Sequence, residues 1–400
     1  MARAVVFMPT LSAGGGAERY AVSVVTVLRD LGYGCTLAYE GETTRGWIEK
    51  QFGADMAGVR LDRLPDLPAS LGSLPDAVRS LARDVLWSRH LRSLGADLFV
   101  NCLFRSELPG AGRRNVYICH FPHRTQLEYH GRARRMYMTG MDALRSHLVN
   151  RGGTFLDTYD AACANSRFTA NHVRRRWGVD PVVVPPSCPD MQVPGAAKEK
   201  LILAVGRIEP VVPGVPNKRL DVLIDVFTAM TDLHRDGWRL VVAGACSGQN
   251  KDVLAGLEER AVGAPIQIRT NVSYDRLRRL YSAASIYWHA QGYGEDADAR
   301  PETQEHFGIT TVEAMSAGCI PVVIDTAGPQ EVAGDVDGGG LWVTPDQLAA
   351  HTRRIASLAE QEREAIAQRC RQRAREYDFH HFSERLGCVL AGARPGEERA

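Results

Sequence analysis

No cysteine in the 400-residue chain has a partner at metal-binding or redox spacing. Nine occur (Cys35, Cys102, Cys119, Cys163, Cys188, Cys246, Cys319, Cys370 and Cys388), each alone, and the odd count argues against both a disulfide framework and a zinc site. They read as small buried apolar residues of a reduced, cytoplasmic protein. Also absent is any run of 18 apolar residues, so no membrane-spanning helix is expected. The opening stretch MARAVVFMPTLSAGGG has no small-residue cleavage site behind an apolar core, so no signal peptide is expected either. Repeats and low-complexity tracts are missing. The arginine clusters RARR (132–135) and RRR (174–176) are too few, and lack the module, for a nucleic-acid partner. Net charge is only +1, but it is unevenly spread. Residues 1–186 hold 24 Lys/Arg against 17 Asp/Glu, and residues 187–400 hold 24 against 30. A basic front half and an acidic back half suggest two domains with different partners.

What is present is a repeated alternation of short apolar runs and amphipathic stretches. Strand candidates fall at 3–9, 35–39, 97–103, 115–121, 161–166 and 181–185. They are separated by a helix whose apolar face is Tyr20, Val24, Val27, Leu28 and Leu31, closed by Gly32, and by helical patterns near 76–93, 137–150 and 167–177. A proline-rich linker at 187–200 follows, and the pattern restarts. Strands at 201–208, 239–245, 265–272, 285–290, 320–325 and 340–344 alternate with helices near 219–233, 251–262, 274–283, 308–317 and 346–376. Unbroken apolar strands joined by helices predict α/β architecture: two doubly wound Rossmann-like domains facing a cleft. The domains are expected at 1–186 and 201–378, with 379–400 packing back on the first.

Ligands of doubly wound sheets bind beyond the carboxyl ends of the strands, so chemistry is expected at those ends. Gly14, Gly15 and Gly16 follow the first strand and can offer amides to an anion, although the strict G-x-G-x-x-G is absent. His120 ends a strand in YICHFPHR, next to the polar His123 and Arg124. Arg207 leaves the first strand of the second half, and Lys218 follows a proline-rich loop; two such cations can neutralise a leaving diphosphate. In EHFGITTVEAMSAGCIPVV (305–323), Gly308, Ile309 and Thr310 would form the open first turn of a helix. Glu313 would sit one turn further in, within reach of a ribose diol, and Glu305 would face the opposite end of the same ligand. The triplet Asp296-Ala-Asp298 resembles a metal-diphosphate motif but lies in a polar loop beside Glu295, and is read as a decoy: no metal and no cofactor are expected.

Taken together, these segments resemble the retaining glycosyltransferases of family four, which have the GT-B fold. The resemblance rests on GGGAERYA, CHFP, VGRIEP…NKRLDVLIDVF and EHFGITTVEA. It implies donor contacts from Gly15, Gly16, Arg207, Lys218, Glu305, Phe307, Gly308, Ile309, Thr310 and Glu313, and catalytic roles for His120, Arg207, Lys218 and Glu305. It further implies metal-independent, front-face transfer of a hexose-type sugar from a nucleotide diphosphate sugar to an acceptor hydroxyl. A small-molecule or glycan acceptor is favoured over a lipid-linked one at a membrane surface, because the apolar residues of 136–149 suit a core-facing helix. Two departures from the commoner pattern stand out: the long loop between Arg207 and Lys218, and the acidic insert at 292–304. Rival readings are a nicotinamide-dependent oxidoreductase, with Glu40 as its ribose acid, and a non-catalytic nucleotide-sugar binder.

Overall fold

The computed structural model describes residues 1–104, 106–123, 131–150 and 152–392; Arg124 and Tyr129 lie outside the described residues, as do the side chains of Arg134 and Arg135. The chain divides into two compact units, Met1–Ser187 with Phe382–Ala400, and Cys188–His381.

The first unit carries strands β1 (Arg3–Phe7), β2 (Gly34–Tyr39), β3 (Arg60–Arg63), β4 (Ala96–Asn101), β5 (Gly112–Cys119), β6 (Ala161–Ala164) and β7 (Val182–Val183). Its helices are α1 (Gly16–Asp30), α2 (Arg45–Phe52), α3 (Asp76–Ser93), α4 (Arg132–Leu148) and α5 (Arg167–Trp177). All seven strands are parallel, in the order β3-β2-β1-β4-β5-β6-β7. Alternation along β1 shows why both faces are covered. Ala4 and Val6 pack with Tyr20 and Val24 of α1, whereas Val5 and Phe7 pack with Trp87 and Leu91 of α3. Two expectations are corrected. Leu31 caps α1 at 54% exposure instead of joining its buried face. Helix α4 turns only part of its apolar set inward: Met141 packs against the core that contains Phe7 and Trp87, whereas Met136 is 78% exposed and Tyr137, Leu144 and Leu148 are exposed as well.

The second unit repeats the plan with β8 (Glu199–Val205), β9 (Arg239–Gly244), β10 (Ile266–Thr270), β11 (Ala284–His289), β12 (Ile320–Ile324) and β13 (Gly340–Trp342). Their order is β10-β9-β8-β11-β12-β13, all parallel. The helices are α6 (Leu220–Ala229), α7 (Thr231–Arg235), α8 (Lys251–Arg260), α9 (Tyr274–Ala283), α10 (Ile309–Ser316), α11 (Ala327–Ala333), α12 (Pro345–Ser357) and α13 (Glu360–Arg375). The single helix expected over 346–376 is therefore two. Leu358 and Ala359 are extended, and the Glu362 carboxylate accepts the Ala359 amide at 2.8 Å, restarting the helix. The last helix, α14 (Phe379–Ala391), sends Phe382, Leu386, Val389 and Leu390 into the core of the first unit. Among the described residues, no helix is long and apolar enough to cross a membrane.

Candidate functional site

Each sheet reverses its strand order once, between β1 and β4 in the first unit and between β8 and β11 in the second, and the strand ends at such a reversal are where side chains can converge.

In the first unit the glycine turn already meets an anion. Glu18, buried in the first turn of α1, accepts the Gly15 amide at 2.9 Å through Oε2 and the Thr10 hydroxyl at 3.1 Å through Oε1. A Cβ at Gly15 would lie 2.9 Å from that carboxylate oxygen, so a side chain there would push Glu18 aside. Of the two glycines expected to meet a ligand phosphate, Gly15 has its amide bonded to Glu18 in this structure. The amide of Gly15 is committed to an internal carboxylate, which would also repel a second anion. His120 follows β5 and is 4% exposed, with Nε2 at 3.1 Å from the Cys102 carbonyl, Tyr20 edge-on at 5.5 Å and Phe104 stacked at 6.0 Å. Burial pushes its pKa down to about 4 although the Cys102 bond works the other way, so the ring is neutral at pH 7 and donates from Nε2. Glu40, the acid that dinucleotide binding would need, instead lines a cavity of about 450 Å³ with Arg79, Arg83 and Trp87.

The second unit brings the other predicted residues together at the reversal. Lys218 lays its stem across the end of β8, where a Cβ on Gly206 would sit 2.5 Å from Lys218 Cγ, and its ammonium donates to Glu305 Oε2. His289, the last residue of β11, is 2% exposed and holds Nε2 at 3.5 Å from the same oxygen. Burial alone would raise the Glu305 carboxyl; the Lys218 ammonium and the His289 ring reverse that and hold it far below the usual carboxylate range. Burial lowers the His289 pKa, an effect that Glu305 opposes and Lys218 reinforces. The result is a neutral, buried imidazole beside a half-buried ammonium and carboxylate.

Helix α10 begins directly behind it. Gly308, at φ +97°, caps the helix, and the first intrahelical donor is the Thr311 amide to Gly308 O at 2.9 Å. The amides of Gly308, Ile309 and Thr310 precede it and have no carbonyl of their own helix to bond. Phe307 is buried, with its ring 5.4 Å from Tyr377. Gly328 presses on its backbone: a Cβ there would be 2.4 Å from Phe307 Cα, and the Gly328 amide donates to Glu305 O at 2.9 Å. Thr310 Oγ1 accepts from Tyr287 at 2.8 Å. Glu313 is buried rather than open at a cleft, with Oε2 accepting from Tyr281 at 3.1 Å. Burial raises the Tyr281 phenol, and the charge and hydrogen bond of Glu313 raise it further.

Arg207 stands apart. Its exposed side chain pairs with Glu209 at 3.2 Å, and no bond to Lys218 or Glu305 is formed. Asp296 spends Oδ1 on the amides of Asp298 and Ala299, at 2.9 and 3.0 Å, closing its own turn. Among the described residues, no group of three or more His, Cys, Asp or Glu is placed to hold a metal. Sequence reasoning missed His289, Tyr281, Tyr287 and Gly328. Only SIYWHA offered a signal, a histidine ending a buried strand, as His120 does.

Residues 14–189 match the family Glycosyltransferase Family 4 and residues 190–377 match Glycosyl transferases group 1. A GDP-mannose:cellobiosyl-diphosphopolyprenol alpha-mannosyltransferase of Komagataeibacter xylinus is 29% identical over 186 residues, covering 45% of this chain and 42% of that protein. The GDP-Man:Man(3)GlcNAc(2)-PP-Dol alpha-1,2-mannosyltransferase of Xenopus laevis is 24% identical, over 59% of this chain and 49% of its own length. An alpha-1,3/1,6-mannosyltransferase of Kluyveromyces lactis is 23% identical over 83% of this chain and 72% of its own. The first two matches thus span less than half of those relatives. In fold, the chain is similar to a glycosyltransferase of Rickettsia africae, with TM-score 0.69 at 14% identity over 99% of both chains. It is also similar to an Anabaena protein in complex with UDP, with TM-score 0.66 at 15% identity over 98% of this chain and 100% of that one. Two all-parallel sheets with a 3-2-1-4 core order, and two adjoining family matches that together run from residue 14 to 377, lead to one assignment: the chain belongs to the glycosyl transferases group 1, with the GT-B fold.

Proposed function

We propose that the chain transfers a mannosyl unit from GDP-mannose to a hydroxyl of a glycan carried on a lipid diphosphate, with retained configuration and without a metal. The observation that carries this reading is the half-buried Lys218–Glu305 pair at the strand reversal, with the open amides of α10 beside it. Glu305 occupies one N–H of the ammonium and leaves two for diphosphate oxygens, while the α10 amides offer uncharged donors to the same anion. Charge grows on the diphosphate as the bond from its oxygen to the sugar C1 breaks, and donors fixed in a dry site stabilise that charge without reorganising. The acceptor oxygen bonds C1 from the same face, and its proton passes to the departing diphosphate. Glu305, held ionised, accepts from sugar hydroxyls, Glu313 with Tyr281 behind it receives the ribose diol, and exposed Arg207, paired with Glu209, adds a further cation. His120, neutral, is assigned a positioning role.

The names of the relatives motivate the donor and a lipid-linked acceptor, in place of the small-molecule acceptor expected from the sequence. Helix α4 supports the change, since it turns Met136, Tyr137, Leu144 and Leu148 outward beside Arg132, an apolar and basic face suited to a lipid surface.

A thermal-shift panel of GDP, UDP, ADP, TDP and CDP sugars tests the donor: saturation at about 1,000 Kd adds ~4 kcal/mol, and GDP-mannose is expected to give the largest rise. A larger rise with another base would overturn the donor assignment, and a flat panel the whole reading. Mannosyl transfer to a polyprenyl-diphosphate oligosaccharide is expected to survive excess EDTA; loss restored by manganese would overturn the metal-free mechanism. Co-sedimentation with phosphatidylglycerol vesicles is expected for the wild type and lost in Met136→Glu/Leu144→Glu; a wild type left in the supernatant would return the acceptor to small molecules.

A further inference from the structure

The two departures from the family pattern, the long 208–217 loop and the acidic insert 292–304, are fastened to one another, and the fastening is Arg219. This residue caps α6 in the left-handed region, φ +49° and ψ +44°, which is costly for a residue other than glycine and persists only where surroundings hold it. Those surroundings are specific. Its amide donates to Asn217 Oδ1 at 2.7 Å, Nη1 donates to the Tyr293 carbonyl at 2.6 Å, and Nε and Nη2 both reach Asp221 at 3.2 Å. The guanidinium lies 5.4 Å from the centroid of the Tyr293 ring. Further along, Glu295 accepts the Gly214 amide at 3.3 Å and pairs with Arg300 at 3.0 Å. The insert therefore hooks the backbone next to Lys218 at one end and runs into Glu305 at the other, spanning the two partners of the ion pair.

We propose that Arg219 is a positioning residue for the donor diphosphate: by clamping the acidic insert to the peptide that follows Lys218, it fixes where the ammonium points. The inference rests on the donor-site reading above. It also gives the 292–304 insert a role that needs no metal, since Asp296 is used to close the turn that presents Glu295.

Calorimetry with GDP on the full chain tests it, because affinity for the diphosphate reads the ammonium without requiring an acceptor. Arg219→Ala is expected to weaken GDP binding roughly 10- to 100-fold, the scale of a misplaced group in a fixed site. Arg219→Gly, which accepts the left-handed backbone but cannot clamp, is expected to lose as much. In a Lys218→Ala background the Arg219→Ala change is expected to add nothing, because the residue it positions is gone. Full additivity in that cycle, or wild-type affinity in Arg219→Gly, would overturn the proposal and leave Arg219 a purely structural cap. If Arg219→Ala fails to fold, Glu295→Gln loosens the far end of the clamp and is expected to weaken GDP binding about threefold; unchanged affinity would count against the clamp. A wild-type chain that binds none of GDP, UDP and ADP brings down the donor-site reading itself, whereas binding by the wild type with equal binding by Arg219→Ala overturns only this inference.

Discussion

Lys218 and Glu305 illustrate how far burial changes the consequence of a single substitution. With side chains only 19% and 18% exposed, each compensates the charge of the other in a low-dielectric setting. Lys218→Met strands a half-buried carboxylate and is expected to cost ~2–4 kcal/mol, whereas Lys218→Met/Glu305→Gln removes both charges and is expected to recover most of that. Urea denaturation distinguishes them; equal losses in the single and double variants would mean that the pair is solvated. Glu313→Ala leaves the Tyr281 hydroxyl buried without this acceptor and should also destabilise. His120 makes a pH prediction with a definite sign. Its folded pKa of about 4 lies below the unfolded value of about 6.5, so the unfolded chain binds the proton first. Stability is then complete above pH 6.5 and falls by ~3 kcal/mol as the pH drops toward 4. His120→Gln, whose amide can keep the bond to the Cys102 carbonyl, should flatten the Tm between pH 7 and 5; an unchanged slope would assign the acid sensitivity elsewhere, His289 first.

At the scale of elements, what the sequence disclosed depended on whether a segment's purpose was written in its own periodicity. Helices α3, α5 and α9 were placed residue for residue, because apolar spacing and flanking turns agree, with Ser166 and Ser273 capping the last two. Strand β3, RLDR, was invisible: it is an edge strand whose buried Asp62 is paired with His90 of α3 at 2.6 Å, a tertiary contact that no pattern announces. The proposed donor residues Lys218, Glu305 and Gly308 were legible as motifs. Their supports were not, since His289 and Tyr281 act through contacts formed only when β11 and α9 are brought against α10. Glycines carry the same lesson. Gly308, at φ +97°, and Gly256, within α8 and with open space within 4 Å of where a methyl would sit, look alike in sequence. Gly308→Ala is expected to destabilise by ~1–3 kcal/mol and weaken nucleotide binding, whereas Gly256→Ala should stabilise by ~0.5–1 kcal/mol. Thermal melts of the two variants should therefore move in opposite directions, and a shared direction would contradict the assigned backbone of α10.

On the scale of the whole molecule, the chain returns to its first unit only through its last helix. Phe382, Leu386, Val389 and Leu390 are buried there, Phe382 edge-on to Tyr20 at 5.1 Å, and Arg114 donates to the carbonyls of Val389, at 2.9 Å, and Leu390. Tyr20 in turn bonds the Val184 carbonyl at 3.0 Å and stands edge-on to His120, so α14 supports the very side chain that walls the histidine. Burying four such residues contributes roughly 6–12 kcal/mol by area, which rivals the ~5–15 kcal/mol stability of an entire domain. The buried cluster of the second unit is built from residues between Cys188 and Tyr377. A chain ending at His381 is therefore expected to lose the fold of residues 1–187 while 188–381 stays folded. Limited proteolysis read by mass spectrometry should show cleavage confined to the first unit. Because Lys218, Glu305, Gly308 and Glu313 all lie in the second unit, the truncated chain should still bind GDP within about threefold of the full chain. A larger loss of GDP affinity alongside an intact second unit would show that the donor site needs the first unit as well.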